Sequence, residues 1–459
     1  MHSEAKPNVF SDNFLFAILG LSVAFLPFVA IGTLRLNLPG GLGYSEIIPT
    51  FVALISPLIL WKNREIVKNN LFFLSLGFLA FSIAVASLLS GHLLLEKGVI
   101  IRTIIITGYV SVLSIVCTQE TKRVFLLKVL IASCVLGQAI SIGAYIYYIY
   151  TDSATNGMNP FIFKGFVPFF GHILRLTGFS SSASEAGYTA FIGLGALFLL
   201  FREIGWDRSR KLSWFLSGTG LIFCVSIILT FSYAIVLPAV LAAIIIIFNK
   251  NIRVAGKVAV ILISGLLLFT VIWKMHESKK VGAVPEKGLL CSTFDTGHIV
   301  VSLKSHESKF CYPLLRKGKS VSTYILAKQS AWEIFKNNPL KGTGIENLTR
   351  EMAQIFRRSA AFGHGNFYRR PHCEYLNMAA GAGFLGISAF LIFLTVVGIC
   401  IFKQIKNTQN FNIFSAAPLG LFGGIVVYGI NAEFLFLPVT WFAFGILAGV
   451  IIKSERSVL

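Results

Sequence analysis

Acidic residues are scarce in this chain of 459 residues: 20 Asp and Glu stand against 40 Lys and Arg, and charged residues of both signs make up only 13% of the sequence. Hydrophobic residues make up 55%, and mean hydropathy is +0.76. So little charge excludes a single soluble core, because an ordinary globular domain has about a quarter of its residues charged. Metal-binding signatures are missing as well. His276, His298, His306 and His364 are scattered without the i, i+4 or CxxC spacing that chelation needs, so no metal and no cofactor are expected. A cleavable leader is not apparent either. MHSEAKPNVFSDN has no basic n-region and no small-residue cleavage site, so the first apolar run is expected to remain as an anchor. The net charge of +20 would suit nucleic acid, but the basic residues bracket apolar runs and no soluble domain is large enough to bind it. Membrane lipids and other lipid-borne anions are the better-matched partners.

What the chain does have is a succession of apolar runs of membrane-spanning length. They lie near residues 14–33, 44–61, 71–91, 98–117, 124–150, 182–201, 213–231, 234–249, 257–273, 375–402, 412–430 and 434–452, which predicts an all-α polytopic protein with about twelve transmembrane helices. Alternate connections are basic, among them Lys62, Arg64 and Lys68, then Arg202, Arg208, Arg210 and Lys211, then Lys403 and Lys406. The positive-inside rule therefore places both termini in the cytoplasm and the sparse loops outside. Residues 1–273 read as an N-terminal bundle, 274–372 as a large, mostly helical outward loop domain, and 373–459 as the helices that complete the bundle. The loop holds 17 Lys and Arg against 7 Asp and Glu, and a basic lobe over a membrane suits an anionic, lipid-borne ligand.

Within the loop, Cys291 and Cys311 flank a strand-like HIVVSL and are either a disulfide, in an oxidising compartment, or two thiols. Cys117, Cys134, Cys224 and Cys400 fall in apolar runs and read as small filler. A helix over Ser322 to Asn337 puts Ile325, Lys328, Trp332 and Phe335 on one face, with Trp332 and Phe335 expected to dock on the membrane domain. Asn338-Pro339 ends it. A second amphipathic helix, Glu346 to Ser359, turns Leu348, Met352, Ile355 and Phe356 inward. Between them NPLKGTG supplies a tight turn at Gly342 and Gly344, which either only turns the chain or also brings amides to a phosphate.

The candidate working site is the seam YRRPHCEYLNMAAGAGFLG, Tyr368 to Gly386, where a basic, proline-broken loop meets an apolar run. His372 behind Arg369 and Arg370 has the ingredients for deprotonating a hydroxyl beside a bound phosphate; its plainer reading is an interfacial histidine with snorkelling arginines. Arg175, followed by Gly178 and a run of serines, can hold phosphate oxygens bidentately or merely snorkel. Lys328 is a snorkelling neighbour or a cation held over the surface, and Tyr233 a hydroxyl donor or an edge-of-core tyrosine. Arg102, inside a span with Glu46 and Glu433 nearer the ends, is either a structural pair or a site for lipid phosphate.

These motifs resemble the O-antigen ligase and polymerase superfamily, bacterial multi-span enzymes with a large periplasmic loop late in the chain. PHCEYLNMAAGAGFLG resembles the family's histidine-led motif through His372, Leu376, Gly383 and Gly386. WEIFKNNPLKGTGIEN resembles its loop motif through Trp332, Pro339, Leu340, Gly342, Gly344 and Asn347. RLTGF is similar to the segment whose arginine, here Arg175, contacts lipid pyrophosphate. The chain departs from the family at Cys373, where asparagine is usual; at Gly381, where an acid is usual; and at Lys328 and Tyr233, where arginines are usual. Arg316, Arg369 and Arg370 are the cations that would compensate. The resemblance implies a metal-independent glycosyl transfer at the periplasmic face of a bacterial inner membrane. The donor would be an undecaprenyl pyrophosphate-linked glycan, with His372 as general base and Arg175 and Lys328 on the pyrophosphate. The acceptor would be lipid A-core for a ligase, a second lipid-linked glycan for a polymerase, or a protein Ser or Thr for an oligosaccharyltransferase, and the ligase is favoured. A transporter or flippase is the rival from another class, although no half-to-half repeat is visible; a scaffold for polysaccharide assembly is a third.

Overall fold

The structure, a computed structural model, describes residues 9–28, 44–151, 162–167, 171–180, 182–204, 210–232, 234, 236–247, 319–358, 370–407 and 413–456. It is mostly helical. In chain order the helices are α1 (Val9–Phe25), α2 (Tyr44–Lys62), the short α3 (Arg64–Lys68), α4 (Leu71–Leu89), α5 (Leu93–Val116), α6 (Glu120–Thr151), α7 (Ala183–Ile204), α8 (Arg210–Leu229), α9 (Val236–Ile247), α10 (Lys319–Asn337), α11 (Ile345–Arg358), α12 (Glu374–Asn407), α13 (Ala417–Tyr428) and α14 (Pro438–Arg456).

Among the described residues five helices are long and apolar enough to cross a membrane: α4, α5, α6, α7 and α12. Shorter apolar helices include Asn13–Phe25, Ser217–Leu229, Ala417–Tyr428 and Pro438–Lys453. Of the about twelve runs read from the sequence, five are full-length helices and others are shorter apolar helices; the run at 257–273 lies outside the described residues, as do Cys291, Cys311 and Arg316. The expected run at 412–430 is a 3-10 turn, Ile413–Ala416, followed by the 12-residue α13. Hydropathy registers apolar length but not where a helix stops.

The expectation of an all-α chain needs one correction. Residues 162–176, assigned no element from the sequence, form a β-hairpin of β1 (Ile162–Val167) and β2 (Gly171–Leu176), paired antiparallel with Phe163 opposite Arg175. The β-branched and aromatic residues of IFKGFV and GHILRL favour the pleated conformation, and six residues are too few for a stable isolated helix.

The centre of the bundle is α7, whose described residues from Ala186 to Phe201 are all buried. It packs against α6, α8, α13 and α14. Tyr188 on α7 stacks on Tyr428 of α13 at 4.0 Å, and its hydroxyl meets that of Thr440 on α14 at 3.0 Å, so the aromatic bodies are buried with their polar ends paired. Cys117, Cys134, Cys224 and Cys400 are buried in this core, as small apolar filler should be.

The long helix α12 is two helices joined at Gly383, whose φ of 67° and ψ of −164° are open essentially to glycine alone. The break leaves carbonyls without i+4 partners, and the 338–344 turn between α10 and α11 supplies them. Thr343 donates its amide to Ala380 O at 3.0 Å and Gly344 to Gly381 O at 2.8 Å, while Phe384, the first residue past the break, donates to Pro339 O at 2.6 Å. Gly342 sits so close that a Cβ there would lie 2.5 Å from the Gly381 carbonyl. The turn residues therefore complete a broken membrane helix, which is the physical reason for small residues on both sides of the contact.

The docking face of α10 includes Phe335, as expected, but not Trp332. Ala327, Ala331 and Ile334 are buried against Leu348, Met352 and Ala380, whereas Trp332 is 48% exposed. Alanines let α10 approach α11 and α12 closely, and the larger Trp332 is left on the flank beside the ring of Phe335. Leu348 and Met352 point inward on α11 as their spacing predicts.

Candidate functional site

His372 stands immediately before α12 with a φ of 49°, a left-handed conformation uncommon for a residue with a Cβ. Its backbone amide donates to Glu433 Oε1 at 3.3 Å. Glu433 belongs to the turn between α13 and α14, and its other oxygen, Oε2, accepts from Arg370 Nη1 at 3.1 Å. Arg370 Nη2 reaches Glu346 Oε1 on the first turn of α11 at 3.4 Å. One guanidinium thus ties together the loop before α12, the turn before α14 and the start of α11. The turn is also held from α12 itself: the buried carboxylate of Glu374 accepts the amides of Phe434 at 2.6 Å and Leu435 at 2.9 Å.

Lys328 reaches the same turn from α10. Its Nζ donates to Ile430 O at 3.0 Å and to Asn431 Oδ1, at the C-terminal end of α13 where uncompensated carbonyls favour a cation. Burial, then the positive charges of Lys328 and Arg370, lower the His372 imidazole to about 4, so it is neutral at neutral pH. Burial pushes the Glu433 carboxyl up to about 7 against the pull of Arg370; burial also works to lower Arg370, but the carboxylates of Glu433 and Glu346 outweigh it and keep it a cation.

Arg175, on β2, is placed at a different point of the bundle rim. Its Nε donates to Thr230 O at the end of α8 at 2.9 Å. From β2 the chain turns through Gly178 into α7, whose first-turn Ser184 bonds the Tyr428 hydroxyl at 3.1 Å, on the helix that leads into the Glu433 turn. Lys328, Arg370 and His372 therefore come together around one turn, whereas Arg175 bonds the end of α8. Arg369, Arg316 and Tyr233 lie outside the described residues. Arg102 is matched with Glu46 at 3.5 Å, and Glu433 serves Arg370 instead.

A sequence model of the family described as O-Antigen ligase matches residues 218–391, which takes in α10, α11, the His372 loop and the break in α12. Over that stretch the chain is similar to the O-antigen ligase family. No curated protein matches the chain. The family region alone is not the whole constellation: Glu433 and Asn431 follow it, and Arg175 precedes it. Sequence reading missed Glu96, Glu346 and Glu374 as partners and treated Glu433 only as a charge near the end of a span. The one available signal was their scarcity, since with 20 acids in 459 residues each one at an apolar boundary is a marked position.

Next in sequence to the turn, Leu435 and Phe436 line an apolar crevice with Leu76, Ile106, Phe393 and Trp441. Among the described residues no group of three His, Cys, Asp or Glu side chains stands close enough to hold a metal ion.

Proposed function

We propose that the protein is a ligase-type membrane glycosyltransferase that moves a glycan from undecaprenyl pyrophosphate to an acceptor hydroxyl of lipid A-core, at the periplasmic face of a bacterial inner membrane. The observation that carries this reading is the neutral His372 imidazole on a strained, carboxylate-pinned loop beside Lys328. In the step, the acceptor oxygen attacks the anomeric carbon, its proton passes to His372, and the bond from that carbon to the pyrophosphate oxygen breaks. The pyrophosphate leaves with the electron pair and needs positive charge, supplied by Lys328 and Arg175. Arg370 is engaged by two carboxylates, so its part is to hold the loop.

The reaction is metal-independent in this proposal because the leaving group is already activated and the cations neutralise it. A polymerase differs only in the acceptor, a second lipid-linked glycan, and would use the same groups.

The test is transfer by purified protein from lipid-linked glycan to lipid A-core, to a second lipid-linked glycan and to a Ser/Thr peptide, each offered separately. His372→Ala should lose about 10²- to 10⁴-fold in kcat while inserting normally. Wild-type transfer by that variant would remove the general base, and sugar appearing only on the second glycan would make the protein a polymerase.

A further inference from the structure

Helix α11 has no side-chain cap of its own. The residue before it is Gly344, with φ +93°, and the amides of its first three residues point into the protein. They are met by one carboxylate from a distant helix. Glu96, fully buried on the first turn of α5, accepts from Ile345 at 3.0 Å through Oε2 and from Glu346 and Asn347 at 3.0 Å each through Oε1. Ser87 on α4 adds a contact to Oε2 at 3.4 Å. A Cβ at position 344 would lie 2.4 Å from Glu96 Oε1, so glycine there makes room for the carboxylate. Three amides at a helix start, with the helix dipole behind them, are a strong anion seat, and here the anion is built in.

The second of the capped residues is Glu346, whose side chain holds Arg370, which holds Glu433, which fixes the amide of His372. We propose that Glu96 is a positioning residue for the reaction: by capping α11 it sets Glu346 and, through Arg370 and Glu433, the orientation of the His372 loop. Glu96 touches no substrate in this scheme. The proposal rests on the glycosyl-transfer reading above, and His372→Ala serves as the control that separates the two.

The test uses the full-length protein in detergent or nanodiscs, normalised to folded protein by size exclusion, with lipid-linked glycan and lipid A-core. In Glu96→Gln the amide oxygen can still accept, but the amide nitrogen faces the Ile345 N–H, donor to donor. We expect kcat to fall about tenfold, with the KM for the donor unchanged, since the effect lies in orientation and not in donor contact. Glu346→Gln changes a side chain one-third exposed and so leaves folding intact. It should lower kcat too, and should move the acidic limb of the rate further down, because Arg370 loses a compensating charge near the imidazole. The double variant should be no slower than the slower single, as expected for one chain of contacts.

Wild-type kcat per folded molecule in Glu96→Gln, with only a lowered melting temperature, would reduce Glu96 to a stabilising cap. Single-variant effects that multiply, a raised donor KM at unchanged kcat, or a Glu346→Gln enzyme with wild-type rate and pH profile would each overturn the proposal. If His372→Ala also transfers normally, the failure belongs to the transfer reading; if it is inactive, the failure belongs to Glu96 alone.

Discussion

Two arginines are paired with carboxylates at opposite ends of α5, and they are built differently. Arg123 donates to Cys117 O, at the C-terminal cap of α5, and pairs with Glu203 of α7 at 2.6 Å, with 2% and 9% of the two side chains exposed. Arg370 lies toward the end that carries Glu96, shares two carboxylates at 3.1 and 3.4 Å, and keeps a third of its side chain exposed. The closed pair is buried on both sides, with Nη1 and Nη2 of Arg123 engaged and its Nε left without a hydrogen-bond partner. The open one has longer contacts, an amide of a strained histidine as a further partner, and a second cation, Lys328, a turn away. A charge sealed on every side is an argument about assembly; a charge held loosely beside a neutral base is an argument about chemistry.

The contrast is broken most severely at the closed pair. Arg123→Gln leaves Glu203 buried without its cation, and removing one partner of such a pair costs about 3–5 kcal/mol. The expected outcome is a large drop in folded yield and melting temperature, with unchanged transfer rate per folded molecule. A loss of rate in the fraction that does fold would show that the two ends are coupled.

A smaller effect is expected at the seam from Gly383→Ala. The φ of 67° with ψ near 180° costs a side chain about 1–3 kcal/mol, and the new Cβ would stand 2.4 Å from Leu340 O. The docked 338–344 turn should be expelled, so transfer should be lost before the membrane bundle unfolds. This is measured as activity disappearing at a temperature where helical circular dichroism is intact. Coincident loss of both would mean that the seam has no independent stability.

The smallest effect sharpens the comparison through pH. His372 is lowered to about 4 by burial and then by Lys328 and Arg370. A lowered value keeps the imidazole neutral as pH falls, so the acidic limb of kcat should lie well below the usual histidine range near 6.5. Lys328→Gln removes one repelling cation, makes the imidazolium easier to form, and should move that limb upward. A limb that stays in place would mean that another group titrates. The same shift bears on stability: the unfolded chain binds the proton first, so the contribution of His372 falls as pH drops from about 6.5 toward 4.

The motif residues were legible because their types are unusual in an apolar chain. His372, Lys328, Arg370 and the glycines at 342, 344 and 383 all stand out from the sequence, and they do meet. What was not legible was the use of each glycine. NPLKGTG reads as a turn, yet its amides close the break in α12, a role defined by residues some 40 positions away and by a backbone angle that no composition reveals. On the face of α10 Phe335 was read correctly and Trp332 was not, for a related reason: periodicity selects the largest apolar residues, while close packing against two other helices selects alanine.

From its amino acids alone the chain is committed to the membrane, to helices, and to a basic segment late in the sequence, because those follow from how much apolar surface and how little negative charge it has. Which acids answer which cations was decided only by the tertiary structure. Glu96 reaches α11 across about 250 positions, and Glu433 reaches Arg370 across about 60. A buried charge must be matched by whatever donor the packing brings within about 3 Å, and that distance is a property of the folded bundle.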